Sequence, residues 1–292
     1  MKMHIDEIMI DTTLVHNLIA EQFPEWAHLP LLYVVSSGTD HALYKLGDNM
    51  VIRLPRIACA AQQIDKEFKW LPQLAPHLSV AIPKPLVKGK PTKEYPYPWL
   101  ISHWLEGKNG IEAFFDTMNA AKTMAQCIKE MRSVNTVNAP LASGYRSKPL
   151  YESDTEIRKA IAESADIIDA QAVTKAWKKA LDAPMWDEIP TWTHTDLHAG
   201  NILIQEGKIS AIIDFGLGGL ADPACDIQVA WTLLDTESRL LFRSLMDIDD
   251  ATWERSKGWA LRFVNAIPYY RNTNPTLVNI AIHAINEVLQ DN

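Results

Sequence analysis

The chain has 292 residues, of which 47% are apolar. That is enough for one large domain or two modest ones with a real core, and it excludes a disordered chain. A formal net charge of −8, with no basic stripe, argues against nucleic acid as a partner; an acidic balance is compatible with cationic small substrates. Cys59, Cys127 and Cys225 lie far apart without a CxxC pair, which excludes a disulfide framework or a zinc ribbon and fits a reducing cytoplasm. The opening "MKMHIDEIMIDTT" is too acidic for a secretory signal, and no apolar run approaches the roughly 18 residues that span a bilayer.

In chain order, Asp11-Thr12-Thr13 predicts a helix N-cap. Leu14, Val15, Leu18 and Ile19 then give one apolar face, and Pro24 ends the helix. "LLYVVSSGTDHALYKLGDNMVIRLPR" predicts three short strands, Leu31–Ser36, His41–Leu46 and Met50–Leu54, with a tight turn at Gly47-Asp48-Asn49. Ala58–Leu74 is a predicted helix with Ile64, Phe68, Leu71 and Leu74 on one side. Pro83 and Pro85 lead into a further strand, "KGKPTKEYPYP" is a polar, proline-broken loop, and "WLISHWLEG" is a buried strand ending at Gly107. The composition then shifts. Helical patterns cover Phe114–Met131, Glu156–Ile168 and Ala172–Leu181. One hairpin interrupts them, Ile202–Gln205 and Ile209–Ile213, turned by Glu206-Gly207-Lys208. From Asp226 on the pattern is helical again, broken around Pro268 and Asn272–Pro275.

The chemistry concentrates in Thr193–Leu203, "THTDLHAGNIL". Phosphoryl transfer needs a carboxylate to orient the attacking hydroxyl and oxygen ligands for magnesium. Asp196 can be that carboxylate, and Asn201, five residues on, can reach a metal if the loop curls back. The hairpin returns the chain to "IIDFG" and delivers Asp214, thirteen residues after Asn201, as a second metal-binding carboxylate. A rival reading takes His194, Asp196 and His198 as ligands of a zinc or dinuclear hydrolase. It leaves Asn201 and the D-F-G segment unexplained, and the other histidines, among them His4, form no second cluster.

"HTDLHAGNIL", "IIDFGLGGLADPACD" and the "WLEG" after the last strand of the first part resemble the aminoglycoside phosphotransferase family of kinase-like small-molecule kinases. The resemblance implies an α+β, bilobal, protein-kinase-like fold: a small antiparallel-sheet lobe over residues 1–105 and a larger, mainly helical lobe over 106–292. It implies ATP or GTP with Mg2+ as cofactors, a small-molecule hydroxyl as acceptor, no nucleic-acid or membrane partner, and a monomer or weak dimer. Residue by residue, Asp196 becomes the catalytic aspartate, and Asn201 and Asp214 hold magnesium. Ser36, Ser37, Gly38, Thr39 and Asp40 form the loop over the phosphates, reduced to one glycine. The position that carries lysine in the family is Arg53, with Arg56 as a nearby substitute and Glu67 as its partner on the following helix. The backbone of Ser102, His103 and Trp104 meets the nucleobase. Asp226 anchors the catalytic loop, Asp222 caps the helix begun through Pro223, His194 braces the loop backbone, and His198 bonds within the loop on the substrate side.

For the acceptor, an aminoglycoside-type antibiotic comes first, with a macrolide or a metabolite such as choline or homoserine as alternatives. The Arg53 substitution leaves room for a nucleotide-binding pseudokinase. Asp235, Glu237, Asp247, Asp249 and Asp250 form an acidic stretch that could attract a cation or be a solvated face. Trp253, Trp259, Tyr269 and Tyr270 could line a sugar pocket or simply pack.

Overall fold

The computed structural model describes residues 7–36 and 38–291. His4 and Ser37 lie outside the described residues. The chain divides into two compact units, one running up to Pro76 together with Ala81–Glu106, the other joining His77–Val80 to everything from Gly107 on.

The first unit opens with α1 (Thr12–Gln22). The Asp11 carboxylate accepts the Leu14 N–H at 2.8 Å, as the Asp-Thr-Thr signal predicts. The strands β1 (Leu31–Val34), β2 (His41–Leu46) and β3 (Met50–Pro55) fall within two residues of their predicted bounds. Next comes α2 (Ala58–Leu74), which admits Pro72 near its end, then β4 (Pro85–Gly89) and β5 (Trp99–His103). The strands form one sheet in the order β1-β2-β3-β5-β4, every pair antiparallel. Val15, Leu18 and Ile19 of α1 share a core with Tyr44, Ile52 and Trp99 of the sheet. The 90–98 loop, read as polar, also buries Tyr95, whose hydroxyl donates to the Pro55 carbonyl at 2.7 Å.

In the second unit, β6 (Lys108–Asn109) precedes α3 (Thr117–Ser133). That helix starts three residues later than its apolar pattern suggests, because Asp116 caps it through the Met118 and Asn119 amides and Phe114 stays exposed. His77–Val80 attaches to α3 through Glu130, which accepts from the Ser79 N–H and hydroxyl at 2.7 and 2.8 Å. Then come α4 (Asp154–Glu163), shorter than predicted, and α5 (Ala170–Asp182), which Asp169 caps. β7 (Thr191–Thr193), β8 (Ile202–Gln205), β9 (Lys208–Ile212) and β10 (Gly219–Ala221) form two small sheets, β6-β8-β9 and β7-β10. The sequence predicts only the β8–β9 hairpin, since strands of two or three residues are too short to show alternation. Its turn has two residues, Glu206 (φ 52°) and Gly207 (φ 73°), so Lys208 already belongs to the strand.

The chain continues through α6 (Ala224–Ile227), α7 (Val229–Thr232), α8 (Thr236–Met246), α9 (Asp250–Leu261), α10 (Ala266–Tyr270) and α11 (Pro275–Gln290). Pro268 sits inside α10, and the break falls just before Asn274, which caps α11 ahead of Pro275. α3 packs on α8, α5 on α9, and α11 on α7 and α9, with Trp177, Trp231 and Phe242 fully buried. Among the described residues no helix is long and apolar enough to cross a membrane. Cys127 and Cys225 are buried, and Cys59 is exposed.

Candidate functional site

The second unit builds its polar centre on the segment between β7 and β8. Thr195 has φ 70°, a left-handed conformation that is costly for a β-branched residue and persists only where its surroundings over-determine it. They do so here. Buried Asp226 of α6 accepts the His194 N–H on Oδ2 at 2.9 Å and the Thr195 N–H on Oδ1 at 2.7 Å. Gln228 Nε2 donates to the Thr195 carbonyl at 3.0 Å, and the Thr232 hydroxyl to the Leu197 carbonyl at 2.6 Å. The His194 ring closes the bend: Nδ1 accepts the Asp196 N–H at 3.2 Å, which assigns the proton to Nε2, 2.9 Å from the Ile213 carbonyl. Phe215 packs edge-on against that ring. Burial pushes the Asp226 carboxyl above the usual carboxylate range, against the pull of His194 and of its two amide donors.

Asp196 projects from this bend. Asn201 Nδ2 donates to the Asp196 carbonyl at 2.9 Å and lies 3.3 Å from its Oδ2, so the loop curls back as the five-residue spacing requires. Ile213 N–H donates to the Asn201 carbonyl at 2.9 Å, which ties the end of the hairpin, and with it Asp214 at φ 67°, to the same loop. His198 Nδ1 accepts the Gly200 N–H at 3.0 Å, and its Nε2 lies 3.8 Å from Asp196 Oδ2. Oδ1 of Asp196 is taken by a residue that sequence reasoning missed: Arg146 Nη2 donates to it at 2.8 Å. Burial alone would raise the Asp196 carboxyl, but Arg146 and His198 reverse that and hold it far below the usual range. Arg146 belongs to the 3₁₀ turn Gly144–Ser147 and lies fifty positions before its partner, so no local pattern announces it.

The donor set suits a hard cation. Asn201 commits its amide nitrogen within the loop, no described residue bonds its Oδ1, and Asp214 adds a carboxylate. The zinc alternative fails on the same geometry. Both His194 ring nitrogens are engaged with backbone groups, and among the described residues no three His, Cys, Asp or Glu side chains gather as a metal cluster.

The first unit holds the other predicted residues. Arg53 of β3 and Glu67 of α2 are buried, 9% and 2% exposed, and Nη1 reaches both Glu67 oxygens at 2.6 and 2.7 Å. His41 Nδ1 lies 3.4 Å from Arg53 Nη2, and burial, with Arg53 and Arg56, lowers its pKa well below the usual value. In the loop after β1, Gly38 N–H donates to Ser36 Oγ at 3.0 Å and Thr39 Oγ1 to Asp40 at 2.9 Å, so these groups partly satisfy one another. Ser102 lies within β5, and the next two amides extend the strand contacts: His103 N–H donates to the Lys84 carbonyl at 3.1 Å and Trp104 N–H to that of Asn49 at 2.7 Å. The next amide, that of Leu105, has no partner among the described residues.

Three of the five acids in the acidic stretch have structural partners. Asp235 caps α8 and Asp249 caps α9, while Asp250 pairs with Arg243. Asp222 accepts the Ala224 N–H at the start of α6 and pairs with Arg255. Trp253 and Trp259 are buried in helix packing, and of the four aromatics only Tyr269 is exposed.

Comparison with known proteins gives a family and a fold. The model of the phosphotransferase enzyme family matches residues 33–259. Aminoglycoside 3′-phosphotransferases of Salmonella typhimurium and Escherichia coli are each 25% identical over 154 residues, 50% of this chain and 56% of theirs. The chain thus spans about half the length of these curated relatives. Among solved structures, the GDP and kanamycin complex of APH(2″)-IIia aligns with a TM-score of 0.73 at 17% identity, covering 95% of this chain and 99% of that one. The macrolide 2′-phosphotransferase MphH of Brachybacterium faecium aligns at 0.62, also 17% identical, over 94% and 98%. At these identities the likeness is one of fold, the kinase-like architecture of a small antiparallel sheet unit followed by a mainly helical one.

Proposed function

Since the chain belongs to the phosphotransferase enzyme family, we propose that it moves the γ-phosphate of ATP or GTP, with magnesium, onto a hydroxyl of a small molecule. The observation that carries this reading is the curled loop: Asn201 bonded to Asp196, and the end of the hairpin tied to Asn201 just before Asp214. Asp196 orients the acceptor hydroxyl. Arg146 and His198 hold its carboxyl well below the usual range, so it is ionised and ready to accept the hydroxyl hydrogen bond. Asn201 Oδ1 and Asp214 would hold magnesium, which when bound neutralises phosphate charge.

Arg53, kept in place by Glu67, takes the phosphate-binding role of the family's lysine. Its fork of donors suits phosphate oxygens. Gly38 and Thr39 exchange their bonds to Ser36 and Asp40 for the phosphates, and the Ser102–Trp104 stretch meets the base through the neighbouring Leu105 amide. The relatives named above make kanamycin the first acceptor to try and a macrolide the second. Catalysis comes from positioning and charge stabilisation.

The test uses two variants, nucleotide binding by calorimetry and diphosphate release as readouts. Asp196→Ala keeps MgATP affinity and loses transfer, whereas Asp214→Ala weakens both. Full turnover by Asp196→Ala would remove the assignment. A chain that binds nucleotide and transfers to no hydroxyl or water would be the pseudokinase.

A further inference from the structure

Arg146 is held by its surroundings, and most of its donors are unused. Residues 140–143 run beside β10: Leu220 N–H donates to the Pro140 carbonyl at 2.8 Å, Ala142 N–H to that of Leu220 at 3.0 Å, and Ser143 N–H to that of Leu217 at 2.8 Å. The turn that follows is pinned by the Cys225 thiol on the Arg146 carbonyl and by Arg262, whose guanidinium lies 4.7 Å from the Tyr145 ring and 4.1 Å from that of Trp259. Arg146 stacks on the same Tyr145 ring at 4.8 Å. Of its five N–H donors one meets Asp196, and the others find no acceptor among the described residues.

Arg262 forms no ion pair among the described residues. It is 4% exposed, bonds Ser153 Oγ and the Tyr145 carbonyl, and leaves its Nε without a partner. Glu152 pairs with Lys148, Asp154 with Arg158 and Asp222 with Arg255, while Glu156, bonded to Asn265, attracts Arg262 without an ion-pair contact. A polyamine brought to Asp196 would meet Arg146 head on.

We infer that Arg146 is a specificity-determining residue that binds an oxyanion, a carboxylate or a phosphate, carried by the acceptor beside the hydroxyl that is phosphorylated. This rests on the phosphotransferase reading above. The oxyanion takes the unused donors as a fork and draws the guanidinium away from Asp196 Oδ1, which then receives the hydroxyl. An acceptor with no anionic group leaves the arginine on the carboxylate and the hydroxyl without its partner. In the transfer, the acceptor oxygen forms the new O–P bond, the bond from the γ-phosphorus to the bridging oxygen breaks, the nucleoside diphosphate leaves, and the hydroxyl proton passes to Asp196.

The test compares wild type, Arg146→Gln and Arg146→Lys with glycerate, glycerol 3-phosphate, glycerol and kanamycin, in the presence of MgATP for turnover and of MgADP for calorimetric binding. Wild type favours glycerate or glycerol 3-phosphate over glycerol by about tenfold or more, and which of the two wins separates carboxylate from phosphate. Arg146→Gln removes that preference mainly through KM, and Arg146→Lys restores part of it. Preference for kanamycin, an unchanged preference in Arg146→Gln, or the absence of any anion binding to wild type overturns the inference. MgADP binding and MgATP hydrolysis by wild type, measured without acceptor, report on the phosphotransferase reading separately.

Discussion

Replacing Asp226 by asparagine tests whether one buried carboxylate holds the bend that carries Asp196. Both its oxygens accept backbone N–H groups, from His194 and Thr195. Asparagine keeps one oxygen and turns an NH2 toward the other amide. One hydrogen bond to a charged acceptor, worth about 1.5–3 kcal/mol, is lost, and the survivor weakens to the neutral range of about 0.5–1.5 kcal/mol. The gross loss is about 2.5–4.5 kcal/mol. Part is returned, because burial already raises the pKa of Asp226, which shows that its charge is held at a cost. The net expectation is about 2 kcal/mol, or roughly 4–8 °C in Tm at this chain length. The loss falls on the bend that holds Thr195 at φ 70°, so Asp196 moves with it. A displacement of about 1 Å at such a group costs on the order of 100-fold in turnover. Scanning calorimetry and diphosphate release read the two effects. A variant that melts within about one degree of wild type and turns over normally would show that the other tethers, Gln228 and Thr232, suffice.

Two further outcomes are expected. Glu67→Gln removes the counter-charge of a buried arginine but keeps an acceptor, so it costs about 2–3 kcal/mol of stability and raises the Kd for MgADP; unchanged calorimetric binding would detach Arg53 from the nucleotide. His41 has a folded pKa below its unfolded value of about 6.5, so the unfolded chain takes up a proton first as pH falls. Stability is therefore full above that pH and declines on acidification through it. Denaturation series between about pH 5 and 7.5 should show a smaller slope in His41→Gln than in wild type.

Adjacent residues carry their own instructions, and these were legible. Asp11 announced its helix, and the apolar period of Ala58–Leu74 set that helix and the side, shared with Ile64 and Leu71, on which Glu67 meets Arg53, although Phe68, expected on the same side, is exposed. The intervals from Asp196 to Asn201 and on to Asp214 were enough to call for a curled loop and a returning hairpin, because a short loop and a two-residue turn constrain the backbone locally. Long-range contacts wrote no such pattern. Arg146 lies in a 3₁₀ turn without periodicity, and its approach to Asp196 depends on residues 140–143 being zipped to β10. The strands β6, β7 and β10 exist because partners far along the chain satisfy their backbone groups. The acidic run illustrates the same division. Its charges read equally as a cation's docking face or a solvated one, and folding turned Asp235 and Asp249 onto the first-turn amides of α8 and α9, where a carboxylate is most useful to a helix. Periodicity and turn chemistry act over a few residues and can be read from them, whereas the charge that surrounds Asp196 is a sum over distant segments and exists only once they pack.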